Sequence, residues 1–135
     1  MLFRSVSSIP ANTQAPIQSE VVLWLKADQG IVADGSGNVS QWSDQSGYGN
    51  NAVQATTGIQ PGLLAAPNGM QAVHFDGFSQ YMQVPNSSSL TLNGDVTVYA
   101  VFSADGLTQA QDLISKTGGA ANAYSNNMQI GRAHV

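Results

Sequence analysis

The stretch EVVLWLKADQGIVADGSGNVSQWSDQSGYGNNAVQA, residues 20–55, decides the fold class. It is a series of short β-type runs cut by Gly, Asn, Asp and Ser clusters. EVVLWLKA (20–27) opens it, and DGSGN (34–38) supplies two glycines able to take the positive φ of a tight hairpin. VSQWSD (39–44) alternates Val39, Gln41 and Ser43 against Ser40, Trp42 and Asp44, and QSGYGNN (45–51) leads into AVQA. The pattern continues outward through AVHFDG (72–77), SQYMQVP (79–85), SLTL (89–92), DVTVYAVFSA (95–104), DLISK (112–116) and AYSNNMQ (123–129). Within 95–104, Val96, Val98, Ala100 and Phe102 share one face, with Tyr99 and Val101 on the other. That run is expected as a central strand covered on both sides. QAQDLISK (109–116) is the one candidate helical turn. Strands at roughly 8–12-residue spacing, with no fixed-period repeat, predict an all-β sandwich or barrel.

Composition narrows the function classes. The 135 residues carry four Lys plus Arg and eight Asp plus Glu, a net charge of -4. Only Arg4, Lys26, Lys116 and Arg132 are basic, and they are far apart in sequence, so nucleic acid, which needs a clustered basic face, is not expected as a partner. No apolar run approaches the ~20 residues of a membrane-inserted helix. Zero cysteines exclude disulfides, thiolate metal sites and cysteine catalysis. Ser, Thr, Asn and Gln make up a third of the chain, so amides and hydroxyls rather than ions supply solubility. This neutral-surfaced composition points to an extracellular or cell-surface protein.

Both ends are expected to lie outside the domain. Residues 1–19, punctuated by Pro10 and Pro16 without helical or strand period, read as a linker. Residues 130–135, IGRAHV, match the translation of a widely used sequencing adapter, and Gln129 satisfies the codon constraint that the adapter imposes on the preceding residue. On that reading Arg132 and His134 carry no biology, and the domain spans 20–129.

Trp42-Ser43-Asp44-Gln45-Ser46-Gly47-Tyr48-Gly49-Asn50-Asn51-Ala52 resembles the W-x-D-x-S-G-x-G-N-x-A pattern of bacterial laminin-G-like domains. These belong to the concanavalin A-like lectin/glucanase superfamily. Val73-His74-Phe75-Asp76-Gly77, then Tyr81 to Val84, then the run from Asp95 to Phe102 follow in the family's order, and the resemblance covers residues 21 to about 116. It implies a two-sheet antiparallel jelly-roll sandwich, incomplete at its C-terminus, whose missing strands leave unpaired edges and uncovered apolar faces. It further implies a non-catalytic module binding a glycan or a surface protein within a longer chain of neighbouring domains. The alternatives are a structural or adhesive spacer without ligand, and the front part of a glycan-hydrolase-type domain whose acids lie in the missing strands.

Individual residues support the binding reading over the enzymatic one. Glycoside cleavage needs two carboxyl groups flanking the scissile bond. Here Glu20 is the lone Glu, and no two Asp residues lie within five positions of each other. His74, beside Phe75 in a strand, reads as a structural or surface residue rather than a base. Related domains hold Ca²⁺ at the sandwich rim, and the glycine-hinged, oxygen-rich loop 44–51 makes Asp44 and Asn50 the candidate calcium ligands. The competing reading has Asp44 accept backbone N–H bonds in an Asx-type loop. DGSGN lacks the later bidentate acid of a calcium loop and reads as a hairpin alone. Trp24, between Leu23 and Leu25, is expected in the core, and Trp42 as an inward anchor. Tyr48, flanked by glycines at a loop tip, is the candidate ligand-binding aromatic, unless it folds down to close its own loop.

Overall fold

The computed structural model describes residues 2–5, 21–65, 69–104, 111–116 and 127–133. Eleven strands occur among them: β1 (Leu2–Ser5), β2 (Val21–Trp24), β3 (Ile31–Ala33), β4 (Val39–Trp42), β5 (Ala52–Val53), β6 (Gly62–Ala65), β7 (Gln71–His74), β8 (Met82–Val84), β9 (Val96–Tyr99), β10 (Gln111–Lys116) and β11 (Met128–Ala133). The described residues contain no α-helix, only 3-10 turns at Thr57–Ile59 and Ser88–Leu90. The chain is all-β.

The strands form three antiparallel sheets, ordered β2-β1-β9, β10-β11-β8-β5-β4-β3 and β6-β7. The core lies between the first two. Leu23 and Leu25 enter it from β2 and its continuation, meeting Val39 and Trp42 of β4, Ala52 of β5, Met82 and Val84 of β8, and Met128 and Ile130 of β11. Leu90 closes one end, and Leu63 and Val73 of the β6–β7 hairpin pack against the same cluster. Each fully buried Leu, Ile, Met or Val contributes about 1.5–3 kcal/mol relative to exposure, so this two-sided cluster is what holds the sandwich-like arrangement together.

Period-2 alternation along β2 turns one tryptophan outward, whereas β4 buries Val39 and Trp42 alike, out of period-2 phase. Val21, Leu23 and Leu25 point inward, which turns Trp24 outward beside Lys26, whose Nζ lies 5.6 Å from the indole centroid. Trp24 is therefore only partly buried, against the expectation of a core position. Trp42 is the inward anchor, its Nε1 donating to the Lys26 carbonyl at 2.8 Å.

Other expectations also shift. The run expected as a central, doubly covered strand yields β9, which pairs only with β1 among the described residues and stands at the margin of its sheet. Val98, Tyr99, Val101 and Phe102 are all exposed, because apolar residues on both faces reveal appetite for cover but not what provides it. The candidate helical turn is the strand β10 over Gln111–Lys116, taken by pairing with β11; residues 109 and 110 lie outside the described residues. Leu2–Ser5, read as linker, is a strand seated between β2 and β9, while residues 6–19 lie outside the described residues. The expected boundary at Gln129 falls inside β11. β11 continues to Ala133, and Ile130 sits opposite Ile114 and Met82 in the core. The expected strand at 123–129 survives as Met128 and Gln129, the first residues of β11; residues 123–126, like His134 and Val135, lie outside the described residues.

Gly131 shows how closely β11 is fitted. Its φ is +79°, and the Phe75 ring lies against it, so that a Cβ there would overlap the ring, sitting 2.6 Å from its Cε1 and closer still to Cγ and Cδ1. Only glycine meets both demands without strain. Amides also work inside the fold. Gln54 and Gln60 are buried, with Gln60 Nε2 donating to the Gln54 carbonyl at 2.7 Å and Gln54 Nε2 to the Tyr81 carbonyl at 3.1 Å. These bonds tie the segment after β5 to the start of β8, where unpaired backbone carbonyls would otherwise be costly.

Candidate functional site

The loop 44–51 joins β4 to β5 at one end of the larger sheet, and a single carboxylate organises it. Asp44 Oδ1 accepts the backbone N–H groups of Trp24 at 2.8 Å and Ser46 at 2.9 Å. Its Oδ2 accepts the Ser46 hydroxyl at 2.6 Å and the Asn50 N–H at 3.0 Å. The Asp44 N–H in turn donates to Asn51 Oδ1 at 2.9 Å. One of these bonds crosses between sheets, since Trp24 ends β2 while Asp44 follows β4; the Gln45 N–H donating to the Trp24 carbonyl at 2.7 Å doubles that link.

Tyr48 stands at the loop tip, 53% exposed, so it does not fold down to close its own loop. Its flanking Gly47 and Gly49 have φ of +94° and +73°, values that let the backbone turn out and back around it. The Tyr48 N–H donates to Ser46 Oγ at 3.2 Å, so the tyrosine's backbone is tied to Asp44 through one hydroxyl.

Asn50 meets Asp44 through its backbone, while its side chain leaves in another direction. It is 4% exposed, its Nδ2 donating to the Val22 carbonyl at 2.7 Å and to Ser89 Oγ at 2.9 Å. Its Oδ1 accepts the Ser87 hydroxyl at 2.7 Å. The two residues expected to share a cation are thus adjacent, with their side chains engaged in separate networks.

That arrangement does not fit calcium. Ca²⁺ takes six to eight oxygens with lone pairs turned toward it. Both Asp44 oxygens are ringed by N–H and O–H donors, whose positive ends face the place a cation would need, and the Asn50 oxygen is held by Ser87. Among the described residues no group of three or more His, Asp or Glu stands together to hold a metal. The Asx-type loop is the arrangement present.

The segment 86–89, which meets the loop through Asn50, is built of amides and hydroxyls. Asn86 is exposed, its N–H donating to Asn127 Oδ1 at 2.9 Å and its Oδ1 accepting Lys116 Nζ at 3.3 Å. Burial pushes the Lys116 ammonium below the usual lysine range. Ser87 and Ser89 connect this segment to Asn50.

Two further loops repeat the carboxylate device. In the β3–β4 hairpin, Asp34 accepts the N–H groups of Ser36 and Asn38 and the Asn38 side-chain amide. That amide, with the backbone donors, holds the Asp34 carboxyl below the usual carboxylate range, and the segment is a hairpin as its sequence predicts. Asp76 accepts the N–H groups of Phe78, Ser79 and Gln80 and the Ser79 hydroxyl. Burial pushes Asp76 upward, but the donors from Gln80, Phe78 and Ser79 outweigh it and leave the carboxyl below its ordinary value. This loop presents Phe78, 68% exposed, an aromatic that sequence reading passed over. The signal was the parallel between Asp76-Gly77-Phe78-Ser79 and the Asp44 loop: an aromatic on a glycine-hinged turn behind an Asp. The two tips lie at opposite ends of the larger sheet, since Gln54 meets Tyr81 at the start of β8 while Asn50 meets Ser87 beyond its end.

Remaining candidates are placed simply. His74 is exposed on β7 opposite Gly62, as a surface strand residue. Asp34 and Asp76 spend their carboxylates on their own loops, and Asp44 on its loop and on the Trp24 N–H of β2. Comparison with known proteins adds no relative: no family model matches the chain, and neither a curated protein nor a solved structure matches it.

Proposed function

We propose that this domain is a non-catalytic binding module, for a glycan or a protein ligand, carried by a larger exported or surface protein. The observation that carries the reading is Tyr48, more than half exposed at a tip whose backbone is fixed by the Asp44 carboxylate. An aromatic carried on a fixed backbone loses little entropy on contact, and the exposed Asn86, on the segment that meets the loop through Asn50, offers an amide of the kind a sugar or peptide edge uses. The resemblance of residues 21–116 to laminin-G-like domains points the same way, although a fold alone does not fix a function. Calcium has no part in this reading.

Titration with oligosaccharides of the β-glucan and galactan classes, followed by NMR, tests it. Perturbations centred on Tyr48 and Asn86, lost in Tyr48→Ala without a change in melting temperature, are expected. Saturable binding that Tyr48→Ala leaves intact refutes the role of the tip. A spacer that stacks on neighbouring domains is the second reading. The exposed Val98, Tyr99, Val101 and Phe102 favour it, because apolar surface of that kind marks a contact face.

A further inference from the structure

We infer that the Asp44 carboxylate itself closes the rim loop and sets the position of Tyr48, so that the loop is formed without any divalent cation. An anionic group accepting four hydrogen bonds from Trp24, Ser46 and Asn50 gives the loop a charge-assisted centre, each bond being stronger than a neutral one. A cation entering there has to displace donors from both carboxylate oxygens and leave three backbone N–H groups unpaired, in a part-buried place where unpaired donors are costly. The same carboxylate that looks like a metal ligand in sequence therefore excludes the metal. Asp44 is a positioning residue: it acts on Tyr48 through Ser46, whose hydroxyl donates a hydrogen bond to Asp44 and accepts one from the Tyr48 N–H. Asn50 completes the closure from the other side, through its backbone to Asp44 and its side chain to Val22, Ser87 and Ser89. The inference concerns how the tip is held and stands whether or not a glycan binds there.

Amide hydrogen exchange on the full chain, with no glycan present, tests it. In chelator the N–H groups of Trp24, Ser46 and Asn50 are expected to be protected, and millimolar calcium is expected to change neither their exchange nor the melting temperature. Asp44→Asn keeps the size of the side chain but turns an NH₂ toward two donors. It is expected to speed exchange at the amides facing that NH₂, either Trp24 and Ser46 or Asn50, at least about tenfold while the ladder amides of β8 and β11 keep their protection. Asp44→Ala is read by the same local-against-ladder comparison. Calcium that slows exchange at these amides, or raises the melting temperature with the logarithm of its concentration, overturns the inference. Unchanged protection in Asp44→Asn overturns it as well.

Discussion

Replacing Gly131 by alanine tests the packing of β11 and the extent of the domain together. The added methyl group meets two costs. At φ +79° a side chain enters the left-handed region, which costs about 1–2 kcal/mol. The Cβ also lands 2.6 Å from Cε1 of Phe75, and the ring cannot retreat freely because it packs against the core cluster. Overpacking of this kind costs about 1–3 kcal/mol. The sum, about 2–5 kcal/mol, is a large part of the 5–15 kcal/mol that holds a domain together, and corresponds to a melting-temperature loss on the order of 10 °C. Thermal melts by near-UV circular dichroism measure it, and a second background separates the two costs. In Phe75→Ala the ring is gone, so adding Gly131→Ala should cost only the backbone share, leaving a coupling of about 1–3 kcal/mol between the two sites. Ile130→Ala should independently cost about 2–5 kcal/mol, since its side chain is 2% exposed. Equal penalties for Gly131→Ala in both backgrounds refute the ring contact. No penalty for either Gly131→Ala or Ile130→Ala means that β11 ends before these residues and that IGRAHV stands outside the fold.

Asn50→Ala should destabilise by about 1–3 kcal/mol per orphaned buried group, because Val22, Ser87 and Ser89 all lose a partner; denaturant titration measures it, and a change under 0.5 kcal/mol contradicts the network. The lowered carboxyl of Asp76 contributes stability that is complete above the unfolded value of about 3.9 and is lost as pH falls through the folded one. The melting-temperature gap between the wild type and Asp76→Asn should therefore shrink on acidification through that window; a gap constant with pH argues against ionic anchoring of the loop. Val98→Lys should leave the melting temperature nearly unchanged while reducing self-association in light scattering, since Val98 is 43% exposed at the margin of its sheet. Unfolding of that variant would show β9 to be covered after all.

Much of the fold is legible in local pattern. The two-glycine hairpin and the short-strand spacing each carry their own physics, but β4 buries both Val39 and Trp42 against the expected alternation of 39–44, and SLTL (89–92) gives no strand, Ser88–Leu90 being a 3-10 turn. What fails is whatever depends on a distant partner. Trp24 looks like core by hydrophobicity, yet the phase set by Val21, Leu23 and Leu25 turns it outward. Residues 112–116 fit a short strand or the end of a helical turn over 109–116 until β11 provides a ladder. The site divides the same way. Asp44 beside Asn50 and a proud Tyr48 can be read from seven consecutive residues, whereas the direction of the Asn50 amide is set by Ser87 and Ser89, 37 and 39 residues away. Neither hydroxyl advertises that partnership, so the loop's oxygens look available for a metal when they are already committed.

The place of β1 has a consequence for the order in which the molecule assembles. Leu2–Ser5 lies between β2 and β9, which touch each other only through it in the strand order of that sheet. Leu2 is matched with Tyr99, so β1 waits for a strand far later in the sequence before its outer edge is filled. Pairings of such long sequence separation form slowly, because the intervening chain must be gathered before they yield anything. Until then Leu2–Ser5 offers an open edge to any extended segment, including the Val96–Tyr99 strand of a neighbouring copy. Synthesis rate and local concentration therefore decide between closure within one chain and strand exchange between two.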